Sequence, residues 1–261
     1  MSDPTPGVYR KRIGLALSGG VTRGPAHLGV LSVLKREGIP IDCVAGVSAG
    51  AIAGALYCAG VDPEQAQATL QDFAWRKLAR PVWPARGWVS FEKLERWLIK
   101  TIGDISFDEL LCPLAVVATD LVTGEPVIVR AGKVAPAVHA SCAVPGFAVP
   151  VELGGRGLGD GGSSENLPAR AARALGADYV IGVDLFPPRR KLGQGPVGLG
   201  LAALENLVRR SSGGLDAVDC LIVPDVAEMS YLRFGQAMEL VALGARATEA
   251  QLPRLRAALA T

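Results

Sequence analysis

The chain has 261 residues, 49% of them hydrophobic and 20% charged, so it can bury a substantial core and is not a disordered protein. Its formal net charge of +2 is too small for a nucleic-acid-binding protein, which concentrates a strong basic excess. The sequence has no run of about 18 apolar residues, so it predicts no membrane-spanning helix. Its N-terminus lacks the apolar segment of a signal peptide. The five scattered cysteines have no CxxC spacing, which argues against a zinc site or a disulfide framework and favours a cytoplasmic protein.

The first part of the chain alternates short apolar strands with helices. RIGLALSGG predicts a buried strand that runs into a glycine turn. PAHLGVLSVLKREG predicts a helix, with Pro25 at its first position and Gly38 just after its last turn. IDCVA and AGAIAGALYCAG predict a second strand and a second helix. This is the pattern of parallel strands covered by helices, so we predict an α/β fold.

The later segments continue this alternation. Strands are predicted in CPLAVVATD and EPVIVR, joined across LVTG, and in DYVIGVDL and DCLIVPD. Helices are predicted in DPEQAQATLQDFAW, FEKLERWLIKTIG, NLPARAARALGA and GQAMELVALGARATEAQLPRLRAAL. The basic stretch from Pro187 to Gly200 is rich in Gly and Pro and is predicted to be a loop. Because a helical stretch follows it rather than a new fold pattern, we predict a single domain.

A candidate nucleophile lies between the second strand and the second helix. Ser48 stands in the sequence GVSAG, and Gly-x-Ser-x-Gly between a strand and a helix is typical of a nucleophile elbow. The turn is tight, so small residues are needed at Gly46 and Gly50. The helix that starts at Ser48 favours an oxyanion at its N-terminus. A purely structural glycine bend is the alternative.

A second glycine turn, SGGVTRG, follows the first strand. The successive amides of Gly19, Gly20 and Val21 predict a concave site for a negative oxygen, with the helix from Pro25 turning its positive end inward. The phosphate-binding motifs fit poorly, since neither a Gly-Lys-Ser/Thr ending nor GxGxxG is present. An acyl oxyanion is the better ligand, a plain turn is the alternative, and Arg23 could order the loop.

The serine needs a proton acceptor, and the chain has only two histidines. His27 precedes the serine, and His139 lies in a helix-like apolar segment where packing is its usual role. A carboxylate is the alternative, and Asp160 in GLGDGG is followed by two glycines that leave it uncrowded. Its ordinary pKa near 3.9 is too low for an efficient base, but a water-poor pocket would raise the pKa. The residues alone do not select Asp160 among several aspartates.

These three motifs, in this order, resemble the bacterial patatin-like phospholipases. SGGVTRG resembles their oxyanion loop, GVSAG their nucleophile elbow and DGG their catalytic aspartate motif, and the resemblance covers roughly residues 12–250, after a tail over 1–11. It implies a three-layer α/β/α fold with a central, mostly parallel sheet and a lipid acyl hydrolase that uses a Ser48–Asp160 dyad without histidine. The oxyanion hole would be Gly19, Gly20 and Val21. Arg23, Gly24, Gly46, Gly50, Gly161 and Gly162 would complete the motifs. The substrate would be a phospholipid or another acyl ester, with no metal or organic cofactor.

Two residues depart from the family pattern. The family's loop commonly reads Gly-Gly-Gly-x-Arg-Gly, and here Val21 stands at the third glycine. A β-branched residue resists positive φ, so we expect a distorted oxyanion hole and low activity if that conformation is required. The Val21 side chain would also narrow the acyl pocket. Cys142 lies where many members carry a small hydroxyl residue, and we interpret it as buried and inert.

A tryptophan-rich stretch, WRKLARPVWPARGWVSFEKLERW, is the candidate for membrane contact. All four tryptophans, Trp75, Trp83, Trp88 and Trp97, lie in it beside Arg and Lys. Rings with flanking cations suit a membrane interface, so Trp83 and Trp88 are predicted to contact lipid or to gate the pocket, with core packing as the alternative.

The remaining alternatives for the whole chain are a Ser–His–Asp esterase using His139, and a low-activity binding or regulatory protein with the same fold.

Overall fold

The computed structural model describes residues 10–70, 75–83, 85–188, 195–211, 214–230 and 234–259. Its strands are β1 (Ile13–Leu17), β2 (Cys43–Val47), β3 (Arg80–Pro81), β4 (Val89–Ser90), β5 (Leu114–Asp120), β6 (Pro126–Val129), β7 (Val151–Leu153), β8 (Arg156–Asp160), β9 (Tyr179–Val183) and β10 (Cys220–Ile222). Its helices are α1 (Pro25–Arg36), α2 (Ala49–Cys58), α3 (Pro63–Leu70), α4 (Trp75–Leu78), α5 (Glu92–Ile102), α6 (Val134–Cys142), α7 (Ala169–Ala174), α8 (Gly195–Arg210) and α9 (Ala237–Leu259).

Eight of these strands form one sheet, in the order β10-β9-β1-β2-β5-β8-β7, with β6 paired to β5 as well. The run from β10 to β5 is parallel, whereas β6 and β8 join β5 antiparallel and β7 joins β8 antiparallel. β3 and β4 form a separate hairpin. The sheet is therefore mostly parallel, and its antiparallel strands lie beyond β5.

Two layers of helices cover the sheet, because successive residues of a strand point to opposite faces. In β1, Leu15 and Leu17 join the larger core cluster with α1, α2, α6 and α9, whereas Ala16 joins the smaller cluster with α7. Val116 and Val117 of β5 divide in the same way. The strands are buried on both faces, and the predicted three-layer α/β/α fold is confirmed.

One predicted element needs correction. The stretch from Pro187 to Gly200 was expected to be a loop, but α8 already begins at Gly195. Pro196 stands in the first turn of the helix, where proline is tolerated, and the helical spacing of the apolar residues that follow outweighs the glycines. Leu204 and Val208 of this helix line a large cavity. Residues 189–194 of the predicted loop and residues 71–74 of the helix predicted in DPEQAQATLQDFAW lie outside the described residues.

Candidate active site

Ser48 occupies the sharp turn between β2 and α2. Its backbone has φ 50° and ψ −117°, a conformation that costs a non-glycine residue on the order of 1–3 kcal/mol. The turn is crowded by backbone: a Cβ on Gly50 would lie 2.2 Å from the carbonyl oxygen of Leu17, and one on Gly46 would lie 2.6 Å from the carbonyl oxygen of Gly50. Only glycine fits at these two positions, which brings β1 close to the start of α2.

Asp160 ends β8, and the sheet carries it to Ser48. Val47 is paired with Val117 on β5, and the next residue of β5, Ala118, is paired with Asp160. The carboxyl group is buried, and its Oδ1 accepts a hydrogen bond of 2.8 Å from the Gly162 amide. Burial raises the pKa of Asp160 to about 6, while the hydrogen bonds from the Ser48 side chain and the Gly162 amide act in the opposite direction.

Two glycines shape the turn after the aspartate. A Cβ on Gly161 would lie 2.2 Å from the carbonyl oxygen of Val117, and one on Gly162 would lie 3.0 Å from Oδ1 of Asp160. Side chains at these positions would push the turn away from β5 or crowd the carboxylate. The predicted glycine pair therefore lets the turn after Asp160 pass close to β5 and leaves the carboxyl group uncrowded.

The glycine loop offers two amides to the site rather than the predicted three. The Gly19 amide donates to Oδ1 of buried Asn166 at 3.2 Å, which withdraws it from an oxyanion hole. Within the described parts of the chain, the amides of Gly20 and Val21 donate to no protein acceptor, and both residues line the same cavity as Ser48. Asn166 lay within the sequence ENLP, but nothing in the sequence predicted that its side chain would engage the loop.

Val21 adopts the conformation that the sequence suggested it would resist. Its φ is 51°, in the left-handed region that favours glycine, while Gly20 before it is extended with φ 177°. The Val21 side chain is 39% exposed and lines the cavity. The loop therefore keeps its shape at the cost of backbone strain at Val21.

Arg23 orders the loop from inside the protein. Its side chain is only 1% exposed, and its guanidinium donates to the carbonyl oxygens of Leu185 at 3.2 Å and Met229 at 3.0 Å. Gly24 follows, where a Cβ would lie 2.9 Å from the Cβ of Ala49. These contacts fasten the loop to two distant segments and hold it against the start of α2.

Neither histidine lies at the serine. His27 is fully buried with its Nε2 2.8 Å from the carbonyl oxygen of Ser18, and burial lowers its pKa to about 4. His139 Nδ1 lies 2.7 Å from Oε2 of Glu95, and neither histidine lines the cavity that contains Ser48. The geometry therefore favours a carboxylate as the proton acceptor.

A cavity of about 510 Å³ opens beside the serine, within the size range of small-molecule sites. Its polar lining includes Ser48, Asp160, Asn166 and Glu205 together with the glycine loop. Its walls are mostly apolar and include Leu28, Ile52, Leu56, Phe91, Leu94 and Val208. Cys142 also lines it, and burial raises the pKa of this thiol far above its ordinary value, which fits an inert side chain. The arrangement suits an ester with an apolar acyl chain.

The β3–β4 hairpin, which carries two exposed tryptophans, contacts one residue that lines this cavity. Phe147 lines the cavity and is 41% exposed, and its carbonyl oxygen accepts the Trp88 amide at 2.8 Å. Trp83 and Trp88, on either side of the β3–β4 turn, are 89% and 62% exposed. Trp97 instead packs against the core, so the tryptophans do not act as one group.

The flanking cations of the hairpin are partnered. Arg80 pairs with Glu92 and Arg86 with Glu152. The side chains of Arg80 and Arg86 are 49% and 61% exposed, and ion pairs this accessible to solvent are weak. Among the residues that the structure describes, no helix is both long and apolar enough to cross a bilayer.

The family model for patatin-like phospholipases matches residues 15–173, which include the glycine loop, the elbow, Asp160 and Asn166. The chain belongs to the patatin-like phospholipase family. An uncharacterized NTE family protein of Mycobacterium tuberculosis is 36% identical over 67% of this patatin-like chain and 49% of its own length. Lysophospholipase NTE1 of Saccharomyces cerevisiae is 31% identical over 66% of this chain and 11% of its own length.

The patatin-like chain thus spans about half, or far less, of these relatives. Among solved structures, VipD from Legionella pneumophila has the same fold, with a TM-score of 0.57 over 94% of this chain and 67% of that chain. Because only 14% of the aligned residues are identical, this similarity shows the fold alone.

Proposed function

We propose that this chain is a lipid acyl hydrolase that cleaves fatty acyl esters through a covalent intermediate on Ser48. The observation that carries the proposal is the contact between the Ser48 side chain and a buried carboxyl, Asp160, at the polar end of an apolar cavity. The family assignment and the name of the yeast relative support a lipid ester as substrate.

In the first half-reaction, Ser48 Oγ attacks the ester carbonyl carbon as its proton passes to Asp160. The amides of Gly20 and Val21 stabilise the resulting oxyanion, as preorganised donors do in acyl transfer. The carbon–oxygen bond to the alcohol then breaks, and the proton on Asp160 goes to that leaving oxygen. This leaves an acyl ester on Ser48 and an ionised Asp160.

In the second half-reaction, Asp160 takes a proton from a water that attacks the acyl ester. The tetrahedral species collapses, Ser48 Oγ recovers the proton, and the fatty acid leaves. A raised pKa suits both steps, because a base is most effective when its pKa is near the working pH. No step requires a histidine or a cofactor.

Mass spectrometry after exposure to a fluorophosphonate, and separately to mixed lipids, tests this proposal. We expect the phosphonate and the acyl group on the peptide that contains Ser48. Ser48→Ala should abolish both adducts and turnover, whereas Ser163→Ala, which changes another cavity-lining serine, should retain them. Wild-type protein without any adduct on Ser48 would favour the alternative of a binding or regulatory protein.

His139→Ala separates the dyad from a Ser–His–Asp esterase. Since His139 is paired with Glu95 outside the cavity, we expect turnover of a short p-nitrophenyl ester to be retained. Loss of turnover in a folded His139→Ala protein would support the triad instead.

We further propose that Trp83 and Trp88 contact the lipid surface from which the substrate enters. Amphipathic rings suit the headgroup level of a bilayer, and both exposed rings belong to the hairpin whose Trp88 amide donates to Phe147, a residue that lines the cavity. Replacing both by alanine should weaken sedimentation with anionic phospholipid vesicles. Replacing Leu111 and Val122, exposed apolar residues outside the cavity, is the matched control. Vesicle binding unchanged by the tryptophan replacements would remove this proposal.

A further inference from the structure

The backbone amide of Ser48 is held by a side chain from α6. Ser48 lies just after the end of β2 with a strained backbone, and its N–H donates to Oγ of Ser141 at 2.8 Å. Ser141 is fully buried, so this is the bond that satisfies the Ser48 amide away from water. Strained conformations of this kind persist only where the surrounding structure fixes them firmly.

The orientation of the Ser141 hydroxyl is itself fixed. Its proton is donated to the carbonyl oxygen of Val117 on β5 at 2.6 Å, which turns an oxygen lone pair toward the Ser48 amide. Val117 is the partner of Val47 in the sheet, the residue just before Ser48. One hydroxyl therefore ties the nucleophile turn to the neighbouring strand.

The same turn of α6 also holds Asp160. The carbonyl oxygen of Ala143 accepts the Asp160 amide at 2.8 Å. Between these two anchors, the Cys142 side chain contacts the hydroxyl of Ser48. Three consecutive residues, Ser141 to Ala143, thus contact the backbones or side chains of both members of the dyad.

We infer that Ser141 is a positioning residue that sets the contact between Ser48 and Asp160, an inference that rests on the proposed function. It acts through Ser48 and does not contact the substrate. Without its hydroxyl, the Ser48 amide has lost its buried acceptor, and the elbow relaxes away from its strained conformation. The Ser48 hydroxyl then moves off the carboxylate, and proton transfer loses its geometry.

Ser141→Ala tests the inference, with Ser141→Cys as a second variant of nearly unchanged volume. Since misplacement of a reacting group by about 1 Å can cost ~100-fold, we expect kcat to fall between about 10-fold and 100-fold while KM stays within about 2-fold. Labelling of Ser48 by the fluorophosphonate should slow by a similar factor. The thiol is a weak acceptor, so Ser141→Cys should be intermediate.

The pH profile gives a reading that loss of stability alone would not change. The hydrogen bond from Ser48 favours ionised Asp160, so its loss raises the pKa of Asp160. The acidic limb of kcat/KM should therefore move to higher pH in Ser141→Ala. Thr248→Val is the matched control, because it removes another fully buried hydroxyl, on α9, that donates to the Gly244 carbonyl. Its kcat and its acidic limb should be unchanged, whatever the change in its melting temperature.

The outcomes separate the two proposals. Labelling of wild-type Ser48 together with unchanged kcat and acidic limb in folded Ser141→Ala would overturn the role of Ser141 alone. A fall in activity that Thr248→Val reproduces in proportion to its loss of stability would do the same. Wild-type protein that is never labelled on Ser48 would overturn the proposed function and this inference together.

Discussion

The pKa of Asp160 should control the pH dependence of turnover. Burial raises this pKa to about 6, whereas the ordinary value for an aspartate is near 3.8. Only the ionised carboxylate can accept the Ser48 proton, so activity should be present above the pKa and be lost as pH falls through it. The acidic limb of kcat/KM reports this group in the free enzyme.

The magnitude follows from the ionised fraction of the carboxylate. With a pKa of about 6, roughly 90% of Asp160 is ionised at pH 7 and roughly 10% at pH 5, so kcat/KM should fall about 10-fold between them. An aspartate with an ordinary pKa would remain more than about 90% ionised at pH 5 and would give an almost flat profile over this interval. The two cases differ by an order of magnitude at a single pH.

The assay should quantify the released fatty acid chromatographically, because that signal does not depend on the ionisation of a chromophore. Circular dichroism at each pH shows whether the protein remains folded. Asp184→Asn is the matched control, since burial raises the pKa of Asp184 too but this residue does not line the cavity. Its acidic limb should coincide with that of the wild type. A flat wild-type profile down to pH 4, with the fold intact, would refute Asp160 as the base.

Two further predictions concern stability and strain. The difference between the folded pKa of about 6 and the unfolded 3.8 costs the folded state on the order of 3 kcal/mol once Asp160 is ionised. Asp160→Asn should therefore be inactive but harder to unfold in urea, with a gain that grows from pH 4 to pH 6 and is constant above; a gain independent of pH would contradict this cause. Val21→Gly should relieve about 1–2 kcal/mol of left-handed strain, offset in part by the greater entropy of unfolded glycine, and should keep or raise kcat. Val21→Ala, which keeps a Cβ at the same φ, is its control, and a Val21→Gly protein less active than Val21→Ala would contradict the interpretation of strain.

The fold was predictable because its signals are local. The alternation of apolar strands with helices, punctuated by glycine turns, identified an α/β protein, and most predicted elements coincide with observed ones. The exception at α8 shows the limit of local signals: glycines at Gly195, Gly198 and Gly200 favour a loop, but the burial of one helix face against the cavity decides the conformation. Propensity is a weak guide where tertiary packing opposes it.

The candidate site was only partly predictable, because several of its contacts join residues far apart in sequence. Motifs singled out Ser48 and the loop, and the resemblance singled out Asp160. The bond from the Gly19 amide to Asn166 spans 147 positions, and the bond from Ser48 to Ser141 spans 93. Asn and Ser are common residues whose partners are set by the assembled sheet, so no local pattern marks them. A motif can thus identify candidate reacting groups without identifying the side chains that position them.

Those supporting contacts matter because the site contains several features that destabilise the folded state. Ser48 and Val21 have positive φ, and the Asp160 carboxyl is removed from water. Each feature opposes folding and is held in place by a neighbouring group: Ser48 by Ser141, Asp160 by the Gly162 amide and the loop by Arg23. Replacing a buried reacting group such as Asp160 should stabilise the fold at the expense of turnover, whereas replacing a residue that supports it should lower both. Measuring stability and kcat together in Asp160→Asn and Ser141→Ala therefore distinguishes a reacting group from the residue that positions it.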